Sequence, residues 1–321
     1  MNEFRHVMKG PVASVPWGAP DNFLGLPDVD ADFQSARVLI LPVPYQATVS
    51  WKSGTKDGPR AIIEASHYLE LYDHELDTEP YEIGIHTLPD LVLSGAGPEA
   101  ALTQLRQAVA GLLNNGHKFL ITLGGEHSLS AVPILAHAER LSGPRLSVLQ
   151  LDAHTDLRPE YDGTPFSHAS VMYRVHAHVD IVPVGIRSMT SDERAFARER
   201  DIPITFGYEL HENNDWIDRV IERLGPNVYI TFDVDYFDPA IMPSTGTPEP
   251  GGGHWYPTIR LLDRVFKERH VVGCDVVELS PIPGLAAPDF TAAKLVYKMI
   301  ALHAASLDRQ NGNSRHPDRV V

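Results

Sequence analysis

Several of the strand candidates in this chain are near-continuous apolar runs instead of alternating regularly with polar residues. The candidates are Val38 to Val43, Phe119 to Leu123, Leu146 to Leu151, Val179 to Val184, Val228 to Phe232 and Val271 to Val277. A strand of that kind has to be covered on both faces, which is the condition inside a parallel sheet held between two helical layers. Helical patterns separate the runs, at Pro59 to Tyr68, Pro98 to Leu113, Ser191 to Arg200, Trp216 to Leu224, Thr258 to Lys267 and Thr291 to Ala305. No long linker, composition break or internal repeat interrupts the alternation, so a single three-layer α-β-α domain is expected over residues 36–307. Residues 1–35 are rich in Pro, Gly and Asp and read as an N-terminal arm lying on the domain or on a neighbouring subunit. Residues 308–321 are polar and aperiodic and are expected to form a disordered tail.

Bulk charge narrows the partners. With 27 Lys and Arg against 42 Asp and Glu, the net charge is −15. That disfavours a nucleic-acid backbone or an anionic membrane and suits cationic small molecules, although acidity also serves solubility. The single Cys274 excludes an intrachain disulfide and any multi-cysteine metal site, and its apolar setting reads as a buried strand thiol. The opening residues lack the apolar core of a signal peptide and no run approaches a membrane span, so a cytoplasmic location is expected.

Chemistry concentrates where the apolar runs end. Leu146 to Leu151 leads into Asp152-Ala-His154-Thr-Asp156, Val228 to Phe232 into Asp233-Val-Asp235, and Phe119 to Leu123 into Gly124-Gly-Glu-His127. Residues two apart on a strand share a face, so each group can converge. Ligands collect at the carboxyl ends of strands in open parallel sheets. Four aspartates cannot all stay ionised at close range unless positive charge compensates them. A pair of divalent cations supplies that charge. Two imidazoles and four carboxylates form a mixed N/O set suited to Mn(II), with Co, Ni or Zn also possible, whereas the lack of thiolates disfavours structural zinc. Gly124-Gly125 is expected to form a tight turn.

Over 36–305 the chain resembles the ureohydrolase family of arginases and agmatinases. The likeness is carried by GGEHS (124–128), DAHTD (152–156), FDVDYFDPAIMPSTGTPEPGG (232–252) and VVGCDVVELSP (271–281). It implies an arginase/deacetylase-like sandwich around a parallel, mostly eight-stranded sheet, assembled into trimers or hexamers. It also implies two Mn(II) per subunit held by His127, Asp152, His154, Asp156, Asp233 and Asp235. A metal pair lowers the pKa of a shared water towards neutrality, and the hydroxide so formed can attack a guanidinium carbon, releasing urea and an amine. In family register Glu278 clamps the guanidinium, His168 shuttles a proton, Asp156 belongs with them to the catalytic set, and Thr247 lies on the guanidinium side.

The substrate reading follows departures within the resemblance. Arg158 stands where arginases carry an Asn that reads the substrate's α-carboxylate, which lowers the arginase reading. The stretches 40–54, 167–175, 241–248 and 291–302 resemble a subgroup acting on N1-aminopropylagmatine. Expected substrates are therefore agmatine or its aminopropyl derivative, giving urea and a polyamine. Glu160 and Asp162, between the metal cluster and His168, are candidates for receiving a distal amine. Gly253-His254-Trp255 is unusual in the family and is expected to add bulk near the pocket rim. The alternatives are a ureohydrolase on arginine, guanidinobutyrate or free guanidine, a single-metal deacetylase of the same fold, and a non-catalytic, metal-stabilised assembly subunit.

Overall fold

A computed structural model describes residues 21–310 except 115, 117 and 214. Residues 1–20 of the expected arm and 311–321 of the expected tail lie outside the described residues. The chain alternates β1 (Val38–Val43), α1 (Gly58–Ser66), β2 (Ile85–Thr87), α2 (Pro98–Leu113), β3 (Phe119–Gly124), α3 (Ala131–Arg140), β4 (Leu146–Leu151) and α4 (Val171–Val175). It continues with β5 (Asp180–Ile186), α5 (Ser191–Glu199), β6 (Thr205–Phe206), α6 (Asp215–Arg223), β7 (Asn227–Asp233), α7 (Trp255–Glu268), β8 (His270–Val277) and α8 (Ala287–Gln310). All eight strands are parallel, in the order β2-β1-β3-β8-β7-β4-β5-β6.

Apolar residues of α1, α6, α7 and α8 pack on one face of this sheet, and those of α2, α3, α4 and α5 on the other. The expected sandwich is therefore the observed fold. Strands β1, β3 and β4 are buried at every position, as their apolar runs require. In α6 the buried Trp216, Ile217, Val220 and Ile221 recur at helical spacing and make one apolar face. A reciprocal capping box starts α5: Thr190 accepts from the Glu193 backbone and Glu193 from the Thr190 backbone. Helix α8 runs through Gln310, so residues 308–310 are helical rather than part of a tail. Phe23, Leu24 and Leu26 are buried in the larger core, which ties residues of the expected arm to the domain. No helix among the described residues is long and apolar enough to cross a membrane.

Four central strands, β3-β8-β7-β4, align a polar residue each in neighbouring register: Thr122 beside Asp275, Asp275 beside Thr231, and Thr231 beside Gln150. All four side chains are fully buried. They sit on the α2–α5 face, one pleat below the ends of their strands.

Neither residue of the pair Gly124-Gly125 has a left-handed φ, so backbone freedom is not what calls for glycine here. Both are required by close approach instead. A Cβ on Gly125 would lie 1.8 Å from the Tyr45 carbonyl oxygen, and one on Gly124 would lie 2.6 Å from Val277 Cγ1. The Gly125 amide bonds the Val43 carbonyl and the Glu126 amide the Tyr45 carbonyl, so backbone lies against backbone here. Gly125→Ala is expected to destabilise the fold by about 1–3 kcal/mol or more through overpacking. Gly111→Ala, on α2 where a Cβ meets nothing within 4 Å, should stabilise it by about 0.5–1 kcal/mol. Chemical denaturation of both variants checks the opposite signs.

Candidate metal centre

Strand ends deliver the side chains, but by a route other than simple strand alternation. Strand β4 stops at Leu151, so Asp152 to Asp156 form a loop in which Asp156 adopts φ +53°. The loop is laced together by its own acids: Asp152 Oδ1 accepts from the His154 amide at 2.6 Å. Asp235 sits in a short 3-10 turn after β7, where its amide donates to Asp233 Oδ1 at 2.9 Å. It also reaches across to accept from the Ala153 amide at 3.0 Å. His127 opens the 3-10 turn that leads into α3. Convergence thus comes from tight loops, because the pleat ends before most of the acids begin.

Two overlapping groups of donors result: His127, Asp152 and Asp233, and Asp152, His154 and Asp235, with the atoms of each group within 4.8 Å of one another. His127 Nδ1 lies 3.3 Å from Asp152, 3.0 Å from Asp156 and 3.4 Å from Asp233. His154 Nδ1 lies 3.0 Å from Asp235 and 3.7 Å from Asp152. All six expected ligands are therefore brought together. Among the described residues, His127 Nδ1 is buried with no hydrogen-bond partner while three carboxylates face it. Such an orphaned nitrogen in an oxygen-rich cluster suits a divalent cation.

Electrostatics give the same answer. Burial and the charge of Asp152 push Asp156 up to about 7, and burial with Asp235 and Asp152 pushes Asp233 well above the usual carboxylate range. Burial disfavours charge on both imidazoles, yet their acidic neighbours outweigh it. His127 rises well above its ordinary value, and His154, chiefly through Asp235, to about 12. Without cations, then, protons neutralise the cluster, and bound cations take their place.

A cavity of about 290 Å³ opens onto this cluster, lined among others by His127, His154, Asp156, Asp233 and Asp235. Glu278, His168 and Thr247 line it too. Glu278 follows β8 in a left-handed conformation, φ +65°, that few non-glycine residues adopt. Its amide donates to the Gly125 carbonyl at 2.8 Å, and its Oε1 accepts from the His127 amide at 2.6 Å. Burial raises its pKa to about 8. His168 is held by Thr48, whose hydroxyl donates to Glu126 at 2.8 Å and lies 3.3 Å from His168 Nδ1. The His168 amide also donates to that hydroxyl, at 3.0 Å. Glu126 thus anchors the loop that orients His168, since it also accepts from the Ala47 and Thr48 amides. Asp238 accepts from the Ala240, Gly251 and Gly252 amides and shapes a turn.

Three expected features lie elsewhere. Glu160 and Asp162 are exposed and outside the cavity lining. Gly253-His254-Trp255 is absent from the lining as well: Trp255 stacks on Phe237, His254 meets His211 edge-on, and Gly253 packs against the Tyr236 ring. Their bulk turns away because Trp255 begins α7 on the sheet's opposite face. Conversely, Glu193 escaped notice. It lines the cavity, caps α5 and accepts from Thr155 Oγ1 and the Leu157 amide, fixing the aspartate loop. Its signal was the T-x-x-E capping box at 190–193. Arg187 donates to the Asp235 and Glu249 carbonyls, with only its place after an apolar run to mark it.

Comparison with known proteins follows this geometry. Residues 36–301 match the profile of the Arginase family. This chain belongs to the arginase family. An N(1)-aminopropylagmatine ureohydrolase of Synechocystis sp. is 38% identical to it over 275 residues, 84% of this chain and 89% of that protein. The protein of the same name from Thermus thermophilus is 41% identical over 274 residues, 85% and 92% of the two chains. Among solved structures, the agmatine ureohydrolase of Thermoplasma volcanium matches with a TM-score of 0.81 at 26% identity, covering 96% of this chain and 99% of that one.

Asp152 alone is common to both donor groups. Asp152→Ala is therefore expected to abolish binding of both divalent ions, and Asp235→Ala to weaken one. Affinity should rise with pH through about 7, where Asp156 still carries a proton that the ion must displace. Calorimetric Mn(II) titrations at several pH values, in buffers of different ionisation enthalpy, count ions and protons together. Two ions retained by the Asp152 variant, or no proton release from the wild type at pH 7, would contradict this assignment.

Proposed function

We propose that this chain is a ureohydrolase that cleaves the guanidinium group of agmatine or N1-aminopropylagmatine to urea and putrescine or spermidine. The observation that carries the reading is one cavity lined by members of both donor groups together with Glu278, His168 and Thr247. The names of the two relatives and of the matching structure support the substrate class. In this reading His127, Asp152, His154, Asp156, Asp233 and Asp235 hold two Mn(II), with Co, Ni or Zn as substitutes. Assembly into trimers or hexamers and a cytoplasmic setting belong to the same proposal.

When bound, such an ion pair supplies strongly acidified water at neutral pH. The chain's own residues do the rest. A guanidinium stays protonated in water and is a poor electrophile, so it has to be held in place and its leaving nitrogen protonated. Glu278 offers a buried carboxylate able to accept two parallel N–H bonds, and the arriving cation compensates the charge that burial disfavours. Thr247 adds a hydroxyl on the same wall. The Thr48 hydroxyl gives its proton to Glu126, so towards His168 it accepts, and Nε2 is left as the working nitrogen. Burial lowers the His168 pKa below its ordinary 6.5, so near pH 7 the ring is neutral and able to take up a proton at Nε2, and once protonated it is a ready acid. Water's oxygen ends on the guanidinium carbon, the bond to the alkyl-bearing nitrogen breaks, and both of water's protons end on that nitrogen, one of them taken up and passed on by His168 Nε2, leaving neutral urea and an alkylammonium.

A specific observation favours a second reading. Lys52 and Arg158 line the same cavity, and their charges suit a guanidine that carries a carboxylate, such as arginine or guanidinobutyrate. Against it, Arg158 already lies 3.5 Å from Glu193 and 4.8 Å from the Tyr161 ring, and Glu249 contributes a carboxylate to the wall.

Urea release after Mn(II) loading, measured over agmatine, N1-aminopropylagmatine, arginine, guanidinobutyrate and guanidine, decides between them. Strong turnover of arginine with inert agmatine would overturn the first reading. His168→Ala should lower kcat by about 10²–10⁴-fold with both ions retained and change the pH–rate profile.

A further inference from the structure

Beneath the ligand layer lies a buried carboxylate that the reaction does not use. Asp275 is fully buried in β8 and accepts two hydroxyl bonds, from Tyr229 at 2.9 Å and from Thr231 Oγ1 at 2.7 Å. Thr231 Oγ1 in turn lies 2.9 Å from His127 Nε2. A threonine hydroxyl has one hydrogen, and here it is given to Asp275. Towards His127 the oxygen can then only accept, so Nε2 keeps its proton, and it is Nδ1 that gives up its own and presents a lone pair when an ion replaces the protons of the cluster. That lone pair is the orphaned atom facing Asp152, Asp156 and Asp233.

We infer that Asp275, acting through Thr231, is a positioning residue that fixes the tautomer and ring orientation of His127 and so sets the affinity of one of the two ion sites. The placement follows from the sheet. Thr231 and Asp275 are register partners on β7 and β8, and Thr231 lies two residues before Asp233 on the same face. Gln150, in the same row, donates to Asp152 Oδ2 at 2.9 Å and to the His154 carbonyl at 3.0 Å, so the layer holds the ligands of β4 as well. His154 has no link to Asp275. The effect should therefore be confined to the group that contains His127.

The inference rests on the metal-centre reading, and the test separates the two. Mn(II) is titrated into wild type, Asp275→Asn, Thr231→Val and Thr231→Ser, with free Mn(II) read by electron paramagnetic resonance and unfolding temperature recorded alongside. An Asn amide that donates to Thr231 turns its hydroxyl towards Nε2 and favours the wrong tautomer. Asp275→Asn and Thr231→Val are expected to weaken one ion by about 10–100-fold and leave the other unchanged, while Thr231→Ser keeps both. Equal weakening of both ions, or unaltered binding in Thr231→Val, overturns the role of Asp275. A wild type that takes up fewer than two ions overturns the metal reading beneath it.

Discussion

Like charge at close quarters is the constraint on which this molecule turns. Asp152, Asp156, Asp233 and Asp235 are all buried, together with the His127 imidazole and, at the cavity wall, Glu278, while His154 is half-buried beside them. Burial and mutual repulsion push Asp156, Asp233 and Glu278 upward, while His127 and His154 hold Asp152 low despite its burial. A protein has no reason to gather such a set for stability, since each buried carboxylate costs free energy unless paired. Cations resolve the conflict, and the orphaned His127 Nδ1 has the same need.

The sheet turns that conflict into a fixed geometry. Among the ligand-bearing strands β3, β7 and β4, β8 stands between β3 and β7, and it carries Glu278 just past its end and Asp275 one pleat below. Four contiguous strands thus supply the ligands, the clamp candidate and a polar row beneath them. Loops provide the close approach that strands cannot. Asp156 and Glu278 both take left-handed φ, a conformation that costs of order 1 kcal/mol and persists only where the surroundings enforce it. For Glu278 the enforcement is visible in its bonds to Gly125 and His127, which join the ends of β8 and β3.

Much of this was legible in the chain because the signals are chemical. The six central strands are apolar runs of strand length with clear boundaries, so their existence follows from run length and flanking residues. Strands β2 and β6, of three and two residues, are too short to carry a period, and edge pairing made them. Helix α3 is not among the patterns read from the chain; it carries Pro133 in its first turn, where the missing N–H costs nothing. In the candidate site, residue types announced themselves but geometry did not. Strand alternation explained the convergence of Asp152 to Asp156, whereas a loop produces it. The Gly124-Gly125 pair read as a turn, yet it is the contact with Tyr45 and Val277 that excludes a side chain, and only tertiary packing could reveal that.

The outer cavity is where sequence reading had least purchase, and the reason is physical. Glu160 and Asp162 looked apt because they lie between two site motifs, but nearness along a loop is no guide to which way it faces, and both point to solvent. The wall is instead assembled from distant segments: Trp51 and Lys52, Arg158 and Tyr161, Ser188 to Thr190, and Glu249. Its charges are not equivalent. Arg158 is compensated by Glu193 and lies over Tyr161, whose ring meets His168 edge-on, so this arginine braces the wall more than it adds positive potential. Glu249 stands on a backbone that Arg187 pins by its carbonyl, with a proline on either side, so the point from which its side chain leaves the wall is fixed. Under the proposed activity the inner cavity sets the reaction, because each of the candidate guanidines would bring the same group to Glu278. Choice among substrates then falls to the balance of Lys52 against Glu249, at the far end of the chain that the guanidinium carries.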